Sequence, residues 1–273
     1  MNIVSFDPFR TLDMPGVRPL APKSFFQNLD TIREADWIVF PEYWQVNILT
    51  YVLQQRIFPN MATYHLGHDK VQMTRALMAV APQHVPETYI LSNSEDNQHK
   101  VVSDLFSFPF VAKDVKNSGG SGVFLIKDRK TWETYCADHP ILYVQEYLPI
   151  TRDMRIVVIG RKVVAGYWRE QENGRFRTNV AQGGIVSHEP VPLQALALVE
   201  WVAQQMDINH AGFDVALVDD HYYFFEFNRL FGNQGLRERG IQPSQLIYEY
   251  LLEETPTLRG PQRPLRRVGM GAG

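Results

Sequence analysis

The sequence predicts an α/β (α+β) protein in which a small N-terminal unit precedes a larger, strand-rich domain. Three observations carry this expectation. A chain of 273 residues exceeds one typical domain, and its 45% of hydrophobic residues can fill a sizeable core. In the first third, short apolar runs alternate with segments of helical period. From residue 108 onward, strand-like apolar runs dominate.

Residues 3–6 and 37–40 are continuous apolar runs suited to strands. Residues 25–32 and 46–53 space Phe25, Phe26, Leu29, Ile32 and then Val46 to Leu53 for helices. Residues 15–22 carry Pro and Gly and read as a loop, and Phe58-Pro59-Asn60 closes the second helix. A helix is expected over 69–80, capped by Asp69 and stopped by Pro82. Strands follow at 110–113, 123–126, 142–145, 155–159 and 162–167, then a helix at 193–206 with Leu196, Val199, Ala203 and Met206 inward. Two more strands are expected at 212–218 and 222–228. Residues 257–273 hold four arginines and no acid among several Pro and Gly, and are expected to be a disordered, solvated tail.

A formal net charge of −3 gives no global field for gathering nucleic acid or an anionic membrane, so neither is an expected partner. The single cysteine, Cys136, excludes an internal disulfide framework and a multi-cysteine metal site, and suits a reducing, cytoplasmic setting. It falls in a helix or turn at 131–138, where a packed, inert thiol is the ordinary outcome. Residues 1–10 show no leader pattern, and no apolar stretch approaches the roughly 18 residues of a membrane span.

The last two strands hold the most informative residues. Glu226 and Asn228 share a face, because side chains alternate along a strand. An odd loop between the strands pairs Asp214 with Glu226, so that all three side chains point the same way. Two carboxylates opposed at about 5 Å repel, and a hard cation such as Mg²⁺ reverses the sign of that interaction. A two-residue turn instead leaves Asp214 and Glu226 on opposite faces as ordinary solvated acids.

Ser118, Gly119, Gly120, Ser121 and Gly122 form a loop between two apolar strands. Its spacing fits neither GxxxxGK[ST], nor GxGxxG, nor GxSxG. What remains is a flexible hairpin loop whose backbone N–H groups can close over phosphates, or a plain surface turn. Lys113 ends the apolar run Phe110-Val111-Ala112, and a buried lysine needs an anionic partner. Between Arg152 and Arg177 seven basic residues face three acidic ones, which fits a pocket for an anionic substrate. A nucleic-acid groove would need interleaved aromatic platforms that the stretch lacks, and a solvated strand face is the plain alternative. His65 and His68 have the spacing of a zinc pair but no neighbouring Cys or His completes it. His210 and His221 flank the last strands, where they either face the active site or, as is more usual, lie at the surface.

In this order the segments resemble the ATP-grasp superfamily, especially its RimK-like and glutathione-synthetase-like carboxylate–amine ligases, over about residues 68–235. The features are Lys70, Val111-Ala112-Lys113, the glycine loop, Val144-Gln145-Glu146-Tyr147-Leu148, Asp153-Met154-Arg155, Phe176-Arg177-Thr178-Asn179 with Gly183-Gly184, Gly212-Phe213-Asp214 and Glu226-Phe227-Asn228. The resemblance implies an ATP-grasp domain at 68–255, with a lid-like part near 85–147 and a C-terminal part near 148–255. It also implies that residues 1–67 form a short Rossmann-like pre-ATP-grasp domain.

It implies roles as well. Lys70 and Lys113 contact ATP phosphates under the glycine loop, Glu146, Tyr147 and Leu148 form the adenine hinge, and Asp153 lies near the ribose. Arg155, Arg177 and Asn179 neutralise the γ-phosphate or an acyl phosphate, and Asp214, Glu226 and Asn228 hold Mg²⁺, for which Mn²⁺ can substitute. The implied activity is ATP-dependent activation of a small-molecule or peptide carboxylate for attack by an amine. A non-catalytic ATP-binding sensor and a small-molecule kinase are the rivals. After Asn228 the family shows small residues and a proline before glycine, whereas this chain reads Arg229-Leu230-Phe231-Gly232.

Overall fold

The computed structural model describes residues 1–115, 122–170, 185–187 and 189–255. Four strands, β1 (Ile3–Ser5), β2 (Val17–Pro19), β3 (Trp37–Val39) and β4 (Ile57–Phe58), make a parallel sheet in the order β2-β1-β3-β4. Its connections carry α1 (Pro8–Thr11), α2 (Leu29–Glu34) and α3 (Tyr43–Asn47). Strands covered on both faces read as unbroken apolar runs, which made β1 and β3 visible. Residues 15–22 are more than the expected loop, because β2 lies inside them. At the sheet edge the N–H that Pro19 lacks leaves no ladder bond unmade. The helix expected over 46–53 is α3 continued by a wider π-type turn over 48–52.

Next come α4 (Met61–Leu66) and α5 (Lys70–Val80). The Asp69 carboxylate accepts from the Val71 and Gln72 N–H groups at 2.7 and 3.1 Å and so caps α5 as expected. An antiparallel sheet follows in the order β5-β8-β6-β7, from β5 (Thr88–Ser92), β6 (Phe110–Lys113), β7 (Val123–Ile126) and β8 (Ile141–Glu146). After β5 comes α6 (Glu95–Lys100), and α7 (Arg129–Asp138) packs Trp132, Tyr135 and Cys136 against Phe110, Ala112, Leu142 and Val144. Alternation sends Lys113 and its cross-strand partner Tyr143 to the opposite face.

The largest sheet has the order β11-β10-β9-β12-β13. Its strands are β9 (Arg152–Ile159), β10 (Lys162–Glu170), β11 (Ile185–Ser187), β12 (His210–Val218) and β13 (His221–Asn228), with α8 (Leu193–Gln205) between β11 and β12. Met154, Ile156, Val158, Phe213 and Val215 form a core with Ala195, Val199 and Val202 of α8 and with Met73 and Leu77 of α5. On the other face Val157, Ile159 and Tyr167 meet Phe231, Leu236 of α9 (Gln234–Arg237) and Ile247 and Leu251 of α10 (Pro243–Glu254). The N-terminal sheet adds Ile3, Trp37 and Val39 to that cluster. Along β9 this second face passes from Ile159 and Val157 to Arg155 and Asp153, so an apolar seam ends in charges.

Candidate active site

The β12–β13 hairpin sets the geometry. Asp219 and Asp220 have φ of 49° and 61°, as a two-residue type I′ turn requires, and Val218 pairs with His221. The turn is therefore even, and the odd loop invoked for the metal site is absent. Pairing continues to Val215–Phe224 and then slips, so that Asp214 pairs with Glu226 and Gly212 with Asn228. Phe225 is the extra residue of a β-bulge, and the bulge places Asp214, Glu226 and Asn228 on one face.

Four charges interlock beside this row. Arg155 Nε and Nη2 donate to Asp214 Oδ1 and Oδ2 at 2.5 and 3.1 Å. Arg169 Nε and Nη2 donate to Asp153 Oδ1 and Oδ2 at 2.8 and 2.6 Å, and Nη2 also lies 3.1 Å from Asp214 Oδ2. All four residues are at most 9% exposed. Burial alone would lower the Arg169 pKa, but Asp214 and Asp153 outweigh it and hold the guanidinium above its ordinary value. The sequence counts Arg169 among seven basic residues and gives it no role. Its alternation with Tyr167 on an extended β10 was the one available signal.

Lys113 reaches the same region from the smaller sheet. It is 6% exposed, and its Nζ lies 5.5 Å from the Tyr143 ring centroid and 5.8 Å from that of Phe225, the bulge residue. Burial pushes the ammonium down to about 8, Lys70 adds to that, and Glu226 and Asp214 oppose it. Lys70 Nζ donates to the Asp114 carbonyl at 3.2 Å. Lys113 thus lies within electrostatic reach of Glu226, Lys70 and Asp214, and Asp214 in turn holds Arg155.

Glu146 ends β8, its Oε1 accepts from the Glu87 N–H at 2.8 Å and its own N–H donates to the Glu87 carbonyl at 2.9 Å, and Tyr147 and Leu148 follow it directly. Asp153 is 3% exposed, with both oxygens on Arg169. Gly122 closes the base of the β6–β7 loop, its carbonyl accepting from Asp114 N at 2.7 Å. Ser118, Gly119, Gly120 and Ser121 lie outside the described residues, as do Arg177, Asn179 and the 256–273 tail.

Asp214, Glu226 and Asn228 fit a hard divalent cation. Glu226 Oε1 accepts from Asn228 Nδ2 at 3.1 Å, which leaves Asn228 Oδ1 as an acceptor. The Asp214 oxygens keep lone pairs beyond those given to the arginines, and carboxylate with amide oxygen is the donor chemistry Mg²⁺ takes. Among the described residues no group of three or more His, Cys, Asp or Glu offers an alternative. His65 and His68 pack on Tyr43 instead, His68 stacking at 3.7 Å. Cys136 is buried and pushed up to about 11, so it supplies no thiolate.

His210 is a core residue rather than a surface one. It is 1% exposed, stacks on Phe231 at 4.8 Å, and packs edge-on against Phe40 and Phe58. Burial lowers its pKa to about 3, so the ring is neutral, and Nδ1–H donates to the Arg229 carbonyl at 2.8 Å. Arg10 Nη1 and Nη2 both donate to the Phe231 carbonyl at 3.2 Å. The Arg229-Leu230-Phe231-Gly232 segment is therefore pinned from both sides.

A family model for the RimK-like ATP-grasp domain matches residues 67–251. The chain belongs to the RimK-like ATP-grasp family. It is 28% identical over 204 residues to the coenzyme gamma-F420-2:alpha-L-glutamate ligase of Methanocaldococcus jannaschii, covering 72% of this chain and 70% of the relative. It is 26% identical over 171 residues to a probable alpha-L-glutamate ligase of Pectobacterium carotovorum, covering 60% of this chain and 56% of that one. Among solved structures, a RimK domain ATP-grasp protein from Sphaerobacter thermophilus superposes with a TM-score of 0.70 at 15% identity, covering 92% of this chain and all of that one. The ATP complex of D-alanine–D-alanine ligase from Bacillus anthracis gives 0.67 at 15% identity, covering 93% and 97%. The ATP-grasp fold expected from the motif order is thus the observed one. Among the described residues, no helix is long and apolar enough to cross a membrane.

Proposed function

We propose that this chain uses ATP to phosphorylate a substrate carboxylate and lets an amine displace the phosphate, with the reaction centred on the cleft between Lys113 and Glu226. As a RimK-like ATP-grasp protein it is an ATP-dependent carboxylate–amine ligase. One observation carries the assignment to this cleft. Lys113 is buried with no ion pair among the described residues, and it faces the pole where Glu226 and Asp214 lie. A nucleotide phosphate is the anion such an ammonium needs.

A carboxylate oxygen attacks the γ-phosphorus and ADP leaves. The amine nitrogen then attacks the acyl carbon, orthophosphate departs and the amine loses a proton. Lys70 and Lys113 hold phosphate oxygens. Arg155, held by Asp214, offsets charge on the transferred group without having to reorganise, and Arg177 and Asn179 share that role. Glu146, Tyr147 and Leu148 present backbone to adenine, and Asp153 acts from beneath by fixing Arg169. Asp214, Glu226 and Asn228 would hold Mg²⁺ or Mn²⁺, which supplies charge neutralisation at phosphate oxygens. No side-chain nucleophile is needed.

The relatives are named for L-glutamate, which makes it the first amine to test here. Phosphate release and mass-spectrometric detection of an amide product, over a panel of carboxylates with L-glutamate, test the reading. It predicts a product whose mass is the sum of both substrates less water, and loss of turnover in Lys113→Ala with the fold intact. ATP binding without any amide product across the panel would refute it.

A further inference from the structure

The segment Gly67-His68-Asp69 joins α4 to α5, which opens on Lys70. This joint is held from two sides. Gly67 passes so close to β13 that a Cβ built on it would fall 3.1 Å from Cε2 of Phe227, the residue between Glu226 and Asn228. On the other side the His68 ring lies flat on that of Tyr43, with centroids 3.7 Å apart and planes inclined by 11°. Tyr43 opens α3, where the Gln45 side chain accepts from the Glu42 N–H at 2.8 Å, and its hydroxyl lies 3.4 Å from His65 Nδ1. Both Tyr43 and His68 are exposed, so neither is needed to fill the core.

What the joint controls is the placement of Lys70. Lys70 and Lys113 lie within electrostatic reach of one another, and Lys70 Nζ has a neutral partner, the Asp114 carbonyl, at 3.2 Å. Two like charges left free move apart. Met73 and Leu77 anchor the body of α5 in the core, whereas Lys70 lies one turn ahead of Met73, where the Asp69 cap and the joint fix its course. A pair of ammoniums held together against their repulsion is preorganised for a polyphosphate, whose charge reverses the sign of their interaction.

We propose that Tyr43 is a positioning residue for the nucleotide: by stacking on His68 it fixes the start of α5 and keeps Lys70 beside Lys113, which gives the N-terminal unit a share in binding ATP phosphates. The inference rests on the ligase reading above, because it takes Lys70 and Lys113 as phosphate ligands. Its size is bounded. A freed joint still samples the aligned state, so the loss is at most the worth of one aromatic pair, about two- to tenfold in affinity.

The test compares ADP with adenosine, which carries no phosphate for the lysines to hold. ADP is titrated calorimetrically into the full chain with magnesium present, and adenosine is read by its competition with ADP. Tyr43→Ala and His68→Ala are expected to bind ADP about two- to tenfold more weakly than wild type, and to bind adenosine as wild type does. Tyr43→Phe, which keeps the ring and loses the hydroxyl, is expected to match wild type. The double alanine variant is expected to be no weaker than either single one, because the two residues are the two sides of one contact. Initial rates are expected to show KM for ATP rising with kcat held. Undiminished ADP affinity in both alanine variants, an equal loss for adenosine, or a Tyr43→Phe that behaves as Tyr43→Ala would overturn the proposal. A wild type that binds no ADP would overturn the ligase reading and this proposal with it, whereas ADP binding that the alanine variants share leaves that reading standing and removes the positioning role alone.

Discussion

Replacing Arg169 with methionine removes a guanidinium that makes two bonds to Asp153 and a third contact to Asp214, all at 3.1 Å or less. The site is closed to water, with Arg169 4% and Asp153 3% exposed. Breaking one partner out of a buried ion network costs about 3–5 kcal/mol, because the remaining charges keep their desolvation without its compensation. For a chain of this size that corresponds to roughly 6–20 °C in Tm. Asp153 then becomes a buried carboxylate with its pKa raised above the unfolded value of about 3.9. Such a group contributes stability only while protonated, and loses it as pH rises through the raised pKa. The deficit relative to wild type should therefore grow between pH 5 and pH 7. Adding Asp153→Asn should return much of the loss, since an amide is cheaper to bury than a carboxylate that has lost its two guanidinium bonds. Denaturant unfolding of the three proteins at both pH values measures this. A deficit below about 1 kcal/mol at pH 7 would refute the network as a stabilising unit.

Other outcomes follow from the same geometry. Lys113 has its folded pKa depressed to about 8 from 10.5, so below about pH 8 the charged, buried form lowers stability, and the penalty fades as pH rises toward 10.5. ATP phosphates favour the charged form, so ATP affinity should be flat below pH 8 and weaken above it with uptake of one proton. Titration in buffers of differing ionisation heat reads that proton, and an affinity that strengthens above pH 8 would contradict the placement. Gly212→Ala puts a Cβ 2.8 Å from Arg155 Cδ, several tenths of an ångström inside normal contact. Since Arg155 is locked to Asp214, turnover should drop about 10- to 100-fold while ADP affinity holds, as a misplaced catalytic group does.

Much of the fold was legible because burial writes itself into apolar runs. β1, β3, β6, β12 and β13 are continuous hydrophobic stretches, and Asp69 announces α5 by a capping side chain. Residues whose burial is partial were missed: β5, half-buried at Tyr89 to Leu91; β2, at an edge and ending in Pro19; and α9 and α10, whose apolar side is a narrow stripe. The site residues were legible by type, but their register was not. Two hairpins carry bulges, between Val163 and Ala165 and at Phe225, and each shifts pairing by one residue. The first bulge sets Arg169 opposite Asp153, and the second sets Glu226 opposite Asp214. A bulge costs little and has no residue-type signature here, so parity counted from the turn gives the wrong answer beyond it. His210 was misjudged because a neutral imidazole is buried freely once one ring nitrogen finds a carbonyl.

The most direct measurement is Mn²⁺ binding, followed by electron paramagnetic resonance in the presence of ADP. Wild type is expected to bind the ion, and Glu226→Gln and Asn228→Ala to bind it at least about tenfold more weakly with their folds unchanged, as loss of one oxygen ligand dictates. Undiminished Mn²⁺ affinity in both variants would show that the face aligned by the Phe225 bulge holds no cation, and the account of the reaction centre would fall with it.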